Sequence, residues 1–160
     1  MEQEKFIKHY GSLYENSLHI AIAIYETHRL DTLSPLEILS LMKDYVNKMD
    51  HEFKMKLILE HPELGIKEGH QKNLTAHSKK EQSRAGLDSL SSSEYNLLSG
   101  LNKDYMNKFK FPFIIAVSGL NKEEVFRNIQ VRLQNTVETE FDTAIEEIHK
   151  IAEIRLKNLQ

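Results

Sequence analysis

The chain contains no cysteine and no tryptophan, and only three prolines and six glycines among its 160 residues. Without cysteine there can be no disulfide framework, thiol nucleophile, CxxC redox pair, or cysteine-based zinc or iron–sulfur site. So little proline and glycine argues against a fold of many strands and turns and in favour of helices. Long hydrophobic runs are also missing: IAIAIY and FPFIIAV are the longest, well short of the roughly 20 residues that cross a bilayer as a helix. The first residues, MEQEKFIKHYGSLYENS, lack the basic start and apolar centre of a signal peptide. Nor is there an excess of positive charge. A net charge of -3 with acids and bases interspersed leaves no footprint for nucleic acid or an anionic membrane. The expectation is a soluble, cytoplasmic protein that binds neither, and in which a few placed cations would have to hold any anionic ligand. The chain also has no GxGxxG or Walker loop, no GxSxG elbow and no HExxH pair, so no nucleotide cofactor, serine elbow or helical zinc site is expected.

What is present is a set of well-marked helix starts. Ser34-Pro35-Leu36-Glu37 puts serine at an N-cap, proline at the first helical position and glutamate where it closes a capping box, so a helix is predicted from about Pro35 to Lys48. Ser78-Lys79-Lys80-Glu81, Ser91-Ser92-Ser93-Glu94 and Asn121-Lys122-Glu123-Glu124 share that shape and predict three more starts. Periodicity adds a helix near Ser17 to His28 and another near His51 to Glu60, and the last segment breaks weakly at Asn135-Thr136 before continuing. Phe111, preceding Pro112, is pushed out of the helical region and makes an apolar corner. The predicted fold is an all-α, single-domain bundle of seven or eight helices without a sheet, spanning residues 1–160. A chain of this length buries about 70% of its unfolded surface, enough for a core without staples.

The candidate chemistry is concentrated in three places. On a wheel of the last helix, Val137, Phe141, Ala144, Ile145, Ile148, Ile151, Ala152 and Leu159 share a face, and Arg155 falls in its middle. A buried guanidinium keeps its proton, so Arg155 needs a carboxylate partner, a ring of carbonyls or a bound anion. Ser78 and Glu81 are explained as a capping box, whereas capping asks nothing of Gln82. Glu81 and Gln82 together offer an acceptor and a donor–acceptor pair towards the long segment from His61 to Ser78, an arrangement suited to reading an amide or urea. His61 ends a helix that Pro62 blocks. It is either an imidazolium favoured by the helix dipole or a titrating group at the mouth of that segment, a role for which His70 and His77 compete. The spacing of these three histidines does not suit a metal.

Several of these pieces recur in a fixed order: His61-Pro62-Glu63-Leu64, then Leu74-Thr75, Ser78-Lys79-Lys80-Glu81-Gln82, Ala85-Gly86-Leu87, Asn102, Tyr105 and Lys108 to Ile114. Together they resemble the OHCU decarboxylase family, which acts on 2-oxo-4-hydroxy-4-carboxy-5-ureidoimidazoline. The likeness extends from Tyr10-Gly11 and Glu15 to Ile151-Ala152 and Arg155-Leu156. It implies an all-helical, cofactor-free and usually homodimeric lyase that makes (S)-allantoin in the last step of urate degradation. It also implies that His61 is catalytic, that Pro62, Ser78, Glu81, Gln82 and Arg155 bind substrate, and that Phe111, Phe113, Ile114 and Ile115 line the pocket. Two departures stand out. Relatives commonly have E-H-S-P-W where this chain has Glu15-Asn16-Ser17-Leu18-His19, and K-F-G-F-P-F where Lys110 replaces the glycine. If that position needs a positive φ, Lys110 is modestly strained. Two other functions fit the same fold: a helical ligand-binding or interaction module without chemistry, and a lyase acting on a related ureido acid.

Overall fold

The structure, a computed structural model, describes residues 1–65 and 75–159. His70, Leu74 and most of the segment expected to follow Pro62 lie outside the described residues. Among those described there are eight α-helices and no strand: α1 Gln3–Tyr10, α2 Leu18–Thr27, α3 Pro35–Lys48, α4 His51–Leu59, α5 Ala76–Arg84, α6 Ser92–Phe109, α7 Lys122–Arg132 and α8 Val137–Leu159.

Three of the predicted starts are built as capping boxes. Ser34, Ser91 and Asn121 each accept from the backbone N–H three residues on, and Glu37, Glu94 and Glu124 reach back to the cap's own N–H. The fourth differs. Helix α5 begins at Ala76, with Thr75 as N-cap accepting from Ser78 N–H, so the expected Ser78–Glu81 capping box does not form. Both side chains have stronger partners on distant segments, described below. Helix α1 carries no side-chain cap bond at Glu2, which is why no cap pattern announces it.

Helix α8 packs against α3, α4 and α6. Its apolar face buries Ala144, Ile145, Ile148, Ala152 and Leu156, with Arg155 only 2% exposed among them. Val137 and Leu159, predicted on that face, are exposed because the helix overhangs the core at both ends. Glu140 and Glu147 are buried as well; Glu147 accepts from Ala116 N–H in the segment that follows α6, and Glu140 pairs with Arg132, which holds the Ile114 carbonyl of that segment. That segment begins at Lys110, whose φ of 66° is left-handed. A side chain there is strained where glycine would be free. The chain then runs through Phe113 to Val117 outside any helix. Phe111 packs into an aromatic cluster with Tyr105, Phe109 and Phe141 at centroid distances of 6.0, 6.1 and 6.4 Å, an edge-to-face and tilted geometry that suits ring quadrupoles.

Candidate functional site

Where α4 ends, the chain turns across the start of α5 and the end of α8. His61 N–H bonds the Ile58 carbonyl at 3.1 Å, and Pro62 ends the helical run. The next turn is pinned from two sides. Asn102 Nδ2 of α6 donates to the Leu64 carbonyl at 2.9 Å, and Gly65 N–H donates to Gln82 Oε1 at 2.9 Å. Gly65 has φ 71°, and a Cβ there would come within 2.5 Å of the Leu98 Cδ2 methyl, so any other residue would be strained and would have to push Leu98 aside. These contacts border a small, partly open cavity of about 40 Å³. His61, Ser78, Glu81, Gln82 and Arg155 form its polar side, and Pro62, Phe113, Ile114, Ile115 and Val117 its apolar side.

The His61 ring is 7% exposed, and its Nδ1 lies 2.9 Å from the Leu57 carbonyl. A carbonyl only accepts, so Nδ1 carries the proton and Nε2 keeps a lone pair. Burial pushes the pKa down to about 4, against the opposing pull of the Leu57 carbonyl and Glu15; the nearby Arg155 charge lowers it further. His61 is therefore neutral at pH 7. The imidazolium suggested by the helix dipole is overturned, since desolvation outweighs a dipole effect of about 0.3–1 kcal/mol.

Arg155 answers the question posed by its place on the wheel. Its Nε donates to Glu81 Oε2 at 2.9 Å and its Nη2 to Glu81 Oε1 at 3.0 Å. Nη2 also reaches Glu15 Oε2 at 3.2 Å and Ser78 Oγ at 3.3 Å, while Nη1 donates to the Ser12 carbonyl at 3.2 Å. Burial works against the charge, but the hydrogen bonds donated to Glu81 and the charge of Glu15 outweigh it and raise the guanidinium pKa above its ordinary value. Five N–H donors so arranged leave one Nη1 hydrogen without a described acceptor. Arg155 is thus both an internal ion pair and part of a cavity wall.

The acceptor and donor pair expected of Glu81 and Gln82 is partly spent inside the protein. Both Glu81 oxygens face Arg155, and Gln82 Oε1 serves Gly65, which leaves the Gln82 Nε2 amide for a ligand.

The apolar wall is fixed from behind. Arg132 Nη1 holds the Ile114 carbonyl at 2.6 Å, its guanidinium lies 4.3 Å from the Phe113 ring centroid, and Ala116 N–H donates to Glu147 Oε1 at 3.1 Å. Phe111, expected to line the pocket, does not. It is 0% exposed in the aromatic cluster, because the corner at Lys110 turns it inward one step before the chain reaches the cavity. His77 also stands apart from the cavity and pairs with Ser12 Oγ at 3.2 Å. Ala116, Ser118, Ile151, Ile154 and Glu15 join the walls without having been singled out from sequence for that place. Only the match of Glu15 to a family position marked it. The described residues contain no cluster of histidine, aspartate and glutamate that could hold a metal ion.

A sequence model of the family described as OHCU decarboxylase matches residues 1–157. A uric acid degradation bifunctional protein from Bacillus sp. (strain TB-90) is 38% identical over 159 residues, covering 99% of this chain and 30% of that protein. A 2-oxo-4-hydroxy-4-carboxy-5-ureidoimidazoline decarboxylase from Haloferax volcanii is 33% identical over 156 residues, covering 98% of this chain and 89% of the other. Among solved structures, that of (S)-allantoin synthase matches with a TM-score of 0.78 and 28% identity, covering 99% of this chain and 51% of the other. The chain thus spans under a third of the bifunctional relative and about half of the synthase chain, but most of the Haloferax protein. A structure of OHCU decarboxylase with (S)-allantoin present has a TM-score of 0.72 at 24% identity, a likeness of fold.

Proposed function

Since the chain belongs to the OHCU decarboxylase family, we propose that it removes the carboxylate of 2-oxo-4-hydroxy-4-carboxy-5-ureidoimidazoline as carbon dioxide and yields (S)-allantoin, the last step of urate degradation. The observation that carries this reading is the neutral His61, with Nε2 unprotonated, on a cavity that also holds the Arg155 guanidinium. A lone pair at Nε2 suits the substrate hydroxyl, which donates, and not the carboxylate, which would repel it. As the carbon–carbon bond breaks, the bonding pair moves into the unsaturated ring of the substrate, so the electron sink belongs to the substrate and the reaction needs no cofactor. His61 takes the hydroxyl proton as the carbonyl of allantoin forms. The remaining Arg155 Nη1 hydrogen and Gln82 Nε2 point to donors for ring or ureido oxygens as charge grows there. The wall of Phe113, Ile114, Ile115 and Val117 withholds water from a carboxylate about to lose its charge. Protonation of one face of the resulting enolate sets the product's hand.

The same reading takes the protein to be a cytoplasmic homodimer with one domain over residues 1–160. No helix among the described residues is long and apolar enough to cross a membrane.

Because the substrate also decays spontaneously to racemic allantoin, chirality is the readout. With substrate generated in situ from urate by the two upstream enzymes, the protein should give an excess of (S)-allantoin. His61→Asn should give none while its circular dichroism stays native. A racemic product from the wild-type protein would end the proposal, and normal turnover by His61→Asn would remove that residue from the chemistry.

A further inference from the structure

Glu15 sits in the connection between α1 and α2 and is 1% exposed. A tight turn fixes its backbone: Ser17 Oγ donates to the Glu15 carbonyl at 2.8 Å, and Ser17 N–H donates to the Tyr14 carbonyl at 3.2 Å. Asn16 between them has φ 49°, a left-handed conformation that asparagine enters more readily than most residues. The carboxylate is thereby turned inward to the cavity wall. Its Oε2 accepts from the Ser78 hydroxyl of α5 and from Arg155 Nη2 of α8. Its Oε1 is buried and has no hydrogen-bond partner among the described residues.

That free oxygen is the unusual feature, because a buried carboxylate oxygen without a donor is costly to keep. A carboxylate serving only to hold a fold together can use both oxygens, as Glu140 does with Tyr105, Arg132 and Asn135. Nor does Arg155 need Glu15 for neutralisation, since Glu81 already meets it on two nitrogens.

We propose, resting on the function proposed above, that Glu15 is a positioning residue for the decarboxylation. Its Oε2 holds the Arg155 guanidinium and the Ser78 hydroxyl against the cavity, and with Oε1 unpartnered the half-engaged carboxylate keeps negative charge on the same wall as His61. The groups facing the imidazole are the Leu57 carbonyl from α4, Glu15 from the α1–α2 connection and Arg155 from α8, with Glu81 of α5 paired to that guanidinium. Of the two charges, Glu15 draws a proton towards the ring and Arg155 opposes it. A base that must accept a proton as the substrate reacts is helped by a carboxylate already fixed nearby.

The test is Glu15→Gln in the full chain, which keeps an oxygen for Ser78 and Arg155 and removes the charge. In the free protein, NMR titration of the His61 ring should show its pKa lowered by about half a unit or more, because a favourable charge is gone. In the stereospecific assay, kcat should fall about tenfold while KM changes less than about threefold, the pattern of an interaction used in the transition state. An unshifted His61 titration, or a wild-type kcat, overturns the proposal. Should Glu15→Gln not fold, Glu15→Asp takes its place: with the charge kept on a shorter arm, the titration should stay near wild type while kcat falls, and a wild-type kcat overturns the proposal equally. If the wild-type protein itself makes only racemic allantoin, the parent function fails, and the titration alone decides whether Glu15 acts on His61.

Discussion

Two arginines are buried in this molecule, and they behave differently. Arg132 of α7 is 8% exposed and meets Glu140 Oε1 at 2.8 Å, the Ile114 carbonyl at 2.6 Å and the Tyr105 hydroxyl at 3.5 Å. Its partner carboxylate is complete, with Tyr105 at 2.5 Å on one oxygen and Asn135 at 2.9 Å on the other. Arg155 is buried more deeply, yet it borders a cavity, keeps an Nη1 hydrogen to spare and shares a carboxylate that leaves one oxygen free. Burial and pairing are common to both and distinguish nothing. Unused donor and acceptor capacity beside a cavity distinguishes the proposed reactive cluster from the structural one.

The largest effect that would test this contrast is on stability at the structural cluster. Arg132→Ala strands Glu140 and should cost about 3–5 kcal/mol in urea unfolding, with only a secondary fall in the kcat of the folded fraction through the wall that Arg132 holds. A loss of kcat without a loss of stability would erase the distinction. At the reactive cluster a large effect should come from pH. Folded His61 takes a proton only near pH 4, whereas its ordinary value is 6.5, so between these values the unfolded chain binds more protons. Stability should therefore fall as pH drops from about 6.5 to about 4, by on the order of 3 kcal/mol for a shift of this size. His149, also pushed down to about 4 by burial and by Lys43 and Lys54, adds to the same decline. Comparing the wild type with His61→Asn across that range isolates the part due to His61, and parallel curves would contradict the neutral imidazole. The acid limb of kcat/KM should likewise lie near pH 4.

Next in size is Arg155→Lys, which keeps charge but loses the planar fork that Glu81 grips on two nitrogens. A fall of about a hundredfold in kcat/KM is expected, equivalent to about 2.7 kcal/mol. Full activity would return Arg155 to the structural class alongside Arg132. Smaller effects belong to the backbone that presents each cluster. Thr75→Ala removes the cap of the helix carrying Ser78, Glu81 and Gln82 and should cost about 1 kcal/mol by thermal unfolding. Lys110→Gly relieves the left-handed corner before the wall that Arg132 holds and should raise stability by about 0.5–1 kcal/mol. A melting temperature lowered by Lys110→Gly would show that the corner is not strained.

The helices were legible where their causes are local. Ser34, Ser91 and Asn121 find their cap partners three residues away, so reading a few positions suffices. At α5 the same pattern misleads, because Ser78 and Glu81 are drawn to Glu15 and Arg155, 63 and 74 residues distant, and Thr75 takes over the cap. Arg155 could be suspected from its helical phase alone. Arg132 could not, since its partner Glu140 lies across the break between two helices and no single wheel contains both. The family resemblance implies a place for Phe111 on the cavity, but the chain turns at the left-handed Lys110 and Phe111 is buried in the core instead.

Sequence by itself determined the helical class, most helix boundaries, the glycine-free corner and the presence of a cation on a buried face, because propensity, capping and periodicity act within a few residues. That His61 is neutral with Nε2 unprotonated, that Glu81 is a partner of Arg155 before it can serve a ligand, and that Glu15 stands beside them follows from the packing of distant segments. Those outcomes depend on desolvation and on charges brought together from α1–α2, α4, α5 and α8, which no local stretch of the chain contains.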